Sequence, residues 1–334
     1  MHDGGVSTVT SPERLRAFQA AGTRGIGQPA REGAPMTDQQ YLERVLRDQD
    51  LSDDSVEMED LREHRKQVEQ LLRDSFGSAP TIRYGGSKAK GTLNKESYDL
   101  DMTCYFPRDD ESAGETVEEI YETVERALQT QYRTRRKGCA IRLLDAEDDT
   151  DFHIDVVPGR FVDGDDGDVF LHPSSSDKER LKTNLEKHID HVKNSGVVDA
   201  IRLMKLWKVR RQIAVKTFPL ELLTIDQLDE KKAESLPDQL THVWTQFRDR
   251  MDELQIEDPA NPEGNDLSEL LGSAVRQQLK DQARTTLETI KRSGWEAVFG
   301  KVDDSDDGKE RARMDALRRV AAASPVPAKP WCDR

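Results

Sequence analysis

Asp99 and Asp101 flank Leu100 in the stretch from Tyr98 to Phe106, and Asp155 stands in a second stretch from Phe152 to Val157. Both stretches alternate in polarity, the period-2 pattern of a strand with one buried face. Residues i and i+2 of a strand point to the same side. The spacing therefore predicts that the Asp99 and Asp101 carboxylates project together while Leu100 turns into the core. Two carboxylates that close repel and raise one another's pKa. A divalent cation removes that penalty, and hard oxygen ligands suit Mg²⁺ or Mn²⁺. In a chain with 65 acidic residues such a pair arises easily by chance, so its neighbours decide its meaning.

Those neighbours favour phosphate chemistry. Gly85-Gly86-Ser87 forms a tight turn ahead of the pair, with Gly91-Thr92 between them. A glycine turn that opens a helical segment presents backbone N–H groups, ready ligands for an anion. The Ser87 hydroxyl can add a further contact to a phosphate oxygen. If the strand carrying Asp155 pairs beside the Asp99/Asp101 strand, three carboxylates converge on one edge of a sheet. Two metals there would clamp the entering and leaving oxygens of an in-line displacement on a triphosphate. The protein would then supply positioning and charge stabilisation rather than covalent chemistry.

The elements that must hold these residues follow from periodicity and punctuation. Leu61, Val68, Leu71, Leu72 and Phe76 recur at helical intervals. Ala79-Pro80 breaks that helix, and Thr81 to Tyr84 reads as a short strand. A helical turn lies within Lys88–Lys95. Thr116 to Arg133 forms an amphipathic helix, Ala140 to Leu144 a strand, and Pro158-Gly159 closes the strand of Asp155. A polar connector runs to about Asp177. Beyond it the pattern is helical: Lys178–Asn194, Val198–Gln212, Pro219–Leu228, then charged helices to about Ala323. The domain plan is a disordered segment 1–36, a catalytic domain 37–175 with N-terminal helices, a helical lid domain 176–323 and a flexible tail 324–334.

The ordered motifs Gly86-Ser87 with Gly91-Thr92, Asp99-Leu100-Asp101 and His153-Ile154-Asp155-Val156-Val157-Pro158-Gly159 resemble the signature of the polymerase-β-like nucleotidyltransferase superfamily. The stretches Ala200 to Lys208 and Lys216 to Leu223 narrow the resemblance to the bacterial cGAS/DncV-like nucleotidyltransferases, or CD-NTases, the second-messenger synthases of CBASS anti-phage defence. The similarity spans roughly residues 60–225. It implies an α+β fold, a mixed sheet with flanking helices packed on a helical C-terminal half. It also implies two Mg²⁺ or Mn²⁺ ions per active site, both bound by Asp99 and Asp101 and the catalytic one also by Asp155. Gly86 and Ser87 would hold the β/γ-phosphates and Lys205 would reach the donor triphosphate. Thr217 stands where the family commonly has Ser on phosphate, and Phe218 where an aromatic often stacks on a base. The substrates implied are NTPs, with a CBASS effector or activating protein as partner. The product would be a cyclic di- or trinucleotide or a linear oligonucleotide. The alternatives are a template-independent RNA or tRNA nucleotidyltransferase and a catalytically silent nucleotide sensor.

Other residues carry blander readings. His188 and His191 have helical i,i+3 spacing, but no third metal ligand is apparent and they read as a solvated helix face. His153 reads as a buried, hydrogen-bonded histidine near the site, Trp207 as core between helix and sheet, and Glu221 as a helix-start or structural ion-pair residue. Arg133, Arg135, Arg136 and Lys137 form a basic cluster after a helix, open to a nucleic-acid or partner contact, although such a pattern most often marks a solvated loop.

Bulk composition agrees with small substrates. The formal net charge of −15 repels polyanions, so stable binding to duplex nucleic acid is not expected, although a local basic groove can override the global sign. No apolar run approaches the roughly 20 residues of a membrane span. The three cysteines (Cys104, Cys139, Cys332) show no CxxC pairing, which fits a reducing cytoplasm and argues against a structural zinc or a disulfide scaffold.

Overall fold

Capping residues set the two N-terminal helices. Thr37 and Gln40 form a reciprocal capping box at the start of α1 (Asp38–Asp48), whose Tyr41, Leu42, Val45 and Leu46 fall on one buried stripe. Ser55 caps α2 (Val56–Phe76), which starts ahead of the expected Leu61 and stops at Gly77, where φ is +62°. The computed structural model describes residues 36–51, 55–147, 151–174, 179–261 and 266–302. The expected loose segment before Met36 and the tail 324–334 lie outside the described residues.

Seven strands form one mixed sheet: β1 (Thr81–Gly85), β2 (Leu100–Phe106), β3 (Arg133–Lys137), β4 (Ala140–Leu144), β5 (Asp151–Phe161), β6 (Val169–Leu171) and β7 (Leu181–Thr183). The central order is β1-β2-β5-β4-β3, with β6 on β5 and β7 on β6. Among the described residues, only β2 and β5 pair in parallel. A parallel pair needs a long connection, here α4 (Val117–Leu128) followed by the β3–β4 hairpin. α4 carries its own capping box, Thr116 with Glu119.

Alternation divides the sheet into two faces. On one face Leu100, Met102, Cys104 and Phe106 of β2, Ile141 and Leu143 of β4, and Ile154 and Val156 of β5 pack with α2 and α4. The intervening residues, Asp101, Thr103, Arg142 and Asp155 among them, turn to the other face. There the chain places α3 (Gly86–Lys90) and the helices α5 (Leu185–Lys193), α6 (Val198–Arg210) and α7 (Thr217–Gln227). Behind these lie α8 (Leu236–Arg250), α9 (Ser273–Ser293) and the short α10 (Glu296–Phe299), closing a second core that α1 joins. Trp207, Trp244 and Trp295 stack through that core, with ring centroids 5.7 and 5.8 Å apart. Trp207 thus packs among helices and donates to Thr286 Oγ1 at 2.9 Å, rather than against the sheet as expected.

The α+β class and the mixed sheet agree with the sequence, while several boundaries differ. The Thr116–Arg133 helix stops at Leu128, and the basic cluster after it is strand β3. β5 continues through Pro158-Gly159 to Phe161. The glycine permits this: a Cβ at 159 would meet Leu171 of β6 at 2.7 Å, and such close crossings are where strands carry glycine. The polar connector contains β6, and β7 occupies part of what read as a helix from Lys178. Cys104 is a free, buried thiol, and Cys139 is buried as well. No described helix is long and apolar enough to cross a membrane.

Candidate active site

One row of cross-strand neighbours runs through the candidate chemistry. Gly85 of β1 pairs with Asp101 of β2, Asp101 with Asp155 of β5, Asp155 with Arg142 of β4, and Arg142 with Arg135 of β3. Partners in register share a face, so the carboxylates of Asp101 and Asp155 stand side by side on neighbouring parallel strands. Asp99 lies one residue before β2, on the same side as Asp101, and both line one pocket.

Arg142 ties the acidic residues together. Its side chain is 2% exposed; Nε donates to Asp155 Oδ1, and Nη2 donates to Asp155 Oδ2 at 3.0 Å and to Asp99 Oδ2 at 3.2 Å. Lys137 Nζ approaches Asp155 Oδ2 at 3.4 Å. Asp155 itself is fully buried, a position a carboxylate tolerates only when paired. His153 Nδ1 lies 3.4 Å from Asp99 Oδ1, and its ring sits 5.1 Å from that of Tyr98. It reaches there through a left-handed backbone, φ +56°, where the β4–β5 register shifts between Arg142 and Leu144.

On the β1 side, Gly86 opens α3 with φ +73°, and a Cβ at that position would fall 2.2 Å from Asp101 Oδ2. Only glycine fits both the conformation and the approach. The pocket in front of these residues is lined by Gly86, Ser87, Asp99, Asp101, Lys205, Thr217, Phe218 and Glu221, with Lys90 and Ser97. It therefore gathers every sequence-predicted residue except Asp155, which lies beside Asp101 in the sheet and is fully buried.

The helical wall is a buried charge cluster. Lys90 Nζ donates to Glu221 Oε2 at 2.7 Å, and Thr92 donates to Glu221 Oε1 at 3.1 Å. Lys205 Nζ donates to Thr92 O at 2.7 Å and lies 3.7 Å from Glu221 Oε1. Burial pushes the Lys205 amine down to about 8, against the pull of Glu221. Burial also works against the Glu221 carboxylate, but Lys90 and Lys205 outweigh it and hold its pKa below the usual range. Glu221 is the structural ion-pair residue its sequence suggested. Thr217 Oγ1 accepts from Lys208 Nζ at 2.9 Å, and burial brings Lys208 too down to about 8. The Phe218 ring is 3% exposed, with Lys90 Nζ 4.4 Å from its centroid and the His188 ring 4.5 Å away. His188 is no solvated residue: it is 1% exposed and meets Asp258 Oδ1 at 2.6 Å.

The hard oxygen donors of Asp99, Asp101 and Asp155, and the glycine cradle against Asp101, suit a small divalent cation. Among the described residues, however, no three His, Cys, Asp or Glu side chains already stand together as a cage. Instead, the Arg142 guanidinium supplies the positive charge between Asp155 and Asp99. Sequence reasoning missed Arg142, although a signal was present: it is the one charged residue in the otherwise apolar stretch Ala140–Leu144. Lys90 carried no such signal.

No family model and no curated protein matches the sequence. Solved structures do match. The *Vibrio cholerae* cyclic AMP–GMP synthase DncV, bound to the linear intermediate 5′ pppA(3′,5′)pG, aligns with a TM-score of 0.63 at 16% identity, over 81% of this chain and 98% of that one. The chain has the fold of the bacterial cGAS/DncV-like nucleotidyltransferases. Other structures with this CD-NTase fold agree. *E. coli* MS115-1 CdnC with ATP gives 0.61 at 19% identity, over 81% of this chain and 100% of that one. *Bradyrhizobium diazoefficiens* CdnG with GTP gives 0.58 at 13%, over 84% and 97%.

Proposed function

We propose that the protein is a metal-dependent nucleotidyltransferase that joins NTPs into a cyclic di- or trinucleotide, or a linear oligonucleotide, with release of pyrophosphate, and that it serves as a second-messenger synthase in anti-phage defence. The observation that carries this reading is the in-register pairing of Asp101 with Asp155, beside Asp99 and facing the Gly86–Ser87 turn across one pocket. The solved structures with the same fold include a cyclic AMP–GMP synthase and proteins bound to ATP or GTP, which supports NTPs as substrates.

In this reading Asp99, Asp101 and Asp155 hold two Mg²⁺ or Mn²⁺ ions. When bound, such ions lower the pKa of an attacking hydroxyl and stabilise the leaving pyrophosphate. The Gly86–Ser87 turn seats the donor triphosphate, with Lys205 supplying charge from the helical wall. Arg142 orients Asp155 through its paired contacts. Thr217 and Phe218 complete the donor seat on the α7 side. An acceptor nucleotide then presents its hydroxyl to the α-phosphate from the side opposite the pyrophosphate. An effector or activating protein would act on the output or on the enzyme. The *E. coli* CdnC structure solved with HORMA supports the idea that proteins of this fold take partners.

The deciding experiment incubates the purified chain with all four NTPs, each labelled in turn, tRNA, and Mg²⁺ or Mn²⁺, treats the mixture with phosphatase and separates the products by mass. Phosphatase-resistant small nucleotides are expected. Labelled tRNA as the sole product would favour an RNA-extending enzyme, and no turnover under any metal condition would leave a nucleotide sensor.

A further inference from the structure

His153 adopts a backbone that a histidine has no local reason to adopt. Its φ is +56°, and among the described residues other than glycine only Gln212 shares a positive φ. That region crowds any residue with a Cβ, so glycine fills it as a rule. The strand pairing shows what imposes it. Arg142 of β4 pairs with Asp155 of β5, and Leu144 with Asp151, so Phe152, His153 and Ile154 stand opposite Leu143 alone. A bulge of this kind kinks its strand and re-aims a side chain. Glycine at 153 would make the same kink without strain. The chain holds an imidazole there instead, and backbone strain of this sort collects where a side chain is in use.

The imidazole meets the least supported of the three carboxylates. Asp101 and Asp155 lie within paired strands. Asp99 lies one residue before β2, so the ladder that fixes Asp101 stops short of it. Leu100 pairs with Ile154 in the parallel register, and one step further that register sets Asp99 level with His153. His153 Nδ1 lies 3.4 Å from Asp99 Oδ1, while Arg142 Nη2 donates to the other oxygen, Oδ2, at 3.2 Å. One carboxylate is thus gripped at both oxygens, from β5 and from β4. The Tyr98 ring, 5.1 Å from the imidazole and tilted by 48°, packs against the sheet core and backs the histidine. Asp99 keeps 26% of its side chain exposed and lines the pocket.

We infer that His153 is a positioning residue: its left-handed backbone sets the imidazole against Asp99 and, opposite Arg142, fixes the aim of that carboxylate into the pocket. Resting on the nucleotidyltransferase reading, in which Asp99 binds metal, this adds to the site a residue that touches neither metal nor substrate. A carboxylate held in one rotamer beforehand binds a hard cation better than one that must first be ordered, and the contacts behind a ligand set that order. Glycine at 153 would give an easier turn and a looser Asp99.

The test compares H153G and H153N with the wild-type full chain. Mn²⁺ affinity is read from the electron paramagnetic resonance of the free ion, with the α,β-methylene analogue of each NTP present, and turnover from pyrophosphate release. H153G loses the ring and the strain together, so it should melt no earlier than wild type. Its Mn²⁺ affinity and kcat should nevertheless fall by about 10- to 100-fold, with KM for NTP within about threefold. H153N tolerates the left-handed backbone and places an amide nitrogen near the position of Nδ1, so it should recover most of both losses. If H153G binds Mn²⁺ and turns over like wild type, or loses activity only as far as it loses stability, His153 is a packing residue. The inference then fails while the enzyme reading stands. It fails in the same way if H153N recovers nothing. If the wild type itself neither binds Mn²⁺ nor releases pyrophosphate, the nucleotidyltransferase reading falls and takes the inference with it.

Discussion

The sheet wall and the helical wall of the pocket both carry charge, and they dispose of it differently. On the helical wall Lys90, Lys205, Thr92 and Glu221 satisfy one another, and Glu221 is only 1% exposed. On the sheet wall Arg142 neutralises the innermost carboxylate, Asp155, but Asp99 keeps 26% of its side chain exposed and lines the pocket together with Asp101. Charge that is satisfied internally holds a shape. Charge that is turned toward a pocket costs stability and is available for chemistry. The comparison predicts opposite penalties for neutralising a carboxylate on each wall.

The largest effect is expected at the sheet wall. Asp101→Asn, which keeps side-chain volume and removes charge, should lower pyrophosphate release by about 10³-fold or more while leaving the melting temperature equal to or above wild type. Next comes the helical wall: Glu221→Gln leaves two lysines buried without their counter-charge and should cost about 3 kcal/mol in urea unfolding. Full stability in Glu221→Gln together with lost activity would break the comparison outright. Gly86→Ala should follow, with activity down about 10²-fold, because the new methyl group displaces the Asp101 carboxylate from a strained turn; kinetics at saturating metal would show it.

The smallest effect sharpens the account of the helical wall. Burial lowers Lys205 from 10.5 to about 8, so between those values the unfolded chain binds more protons than the folded one. Stability should therefore rise with pH above 8, with Lys205 contributing up to about 3 kcal/mol, and Lys205→Met should reduce that rise in a pH series of denaturation curves while Lys208, also lowered to about 8, keeps part of it.

The sheet wall was the more legible of the two. Period-2 alternation marks Asp101 and Asp155 as off-core residues from local sequence alone, and Gly86 announces a conformation that side chains avoid. The helical wall was less so. Lys90, Lys205 and Glu221 lie on three helices, and helical periodicity says which stripe is buried without saying which neighbour it meets. Phe218 shows the consequence, with its ring between Lys90 and His188. β3 was missed for another reason: Arg-Thr-Arg-Arg-Lys has the composition of a solvated loop. It is a strand because Gly138, with φ +59°, turns it back onto β4 and each face finds acidic partners, Glu125 on one side and Asp155 on the other.

Local sequence alone determined that two short strands would each present aspartate on the face opposite their apolar residues, since the alternation of side chains along a strand is a property of the backbone. Tertiary structure alone decided that these strands would be neighbours. β2 and β5 are separated by α4 and a hairpin, and their register is fixed only when both faces are packed. A slip of one residue would turn Asp155 into the core and bring Ile154 to the pocket.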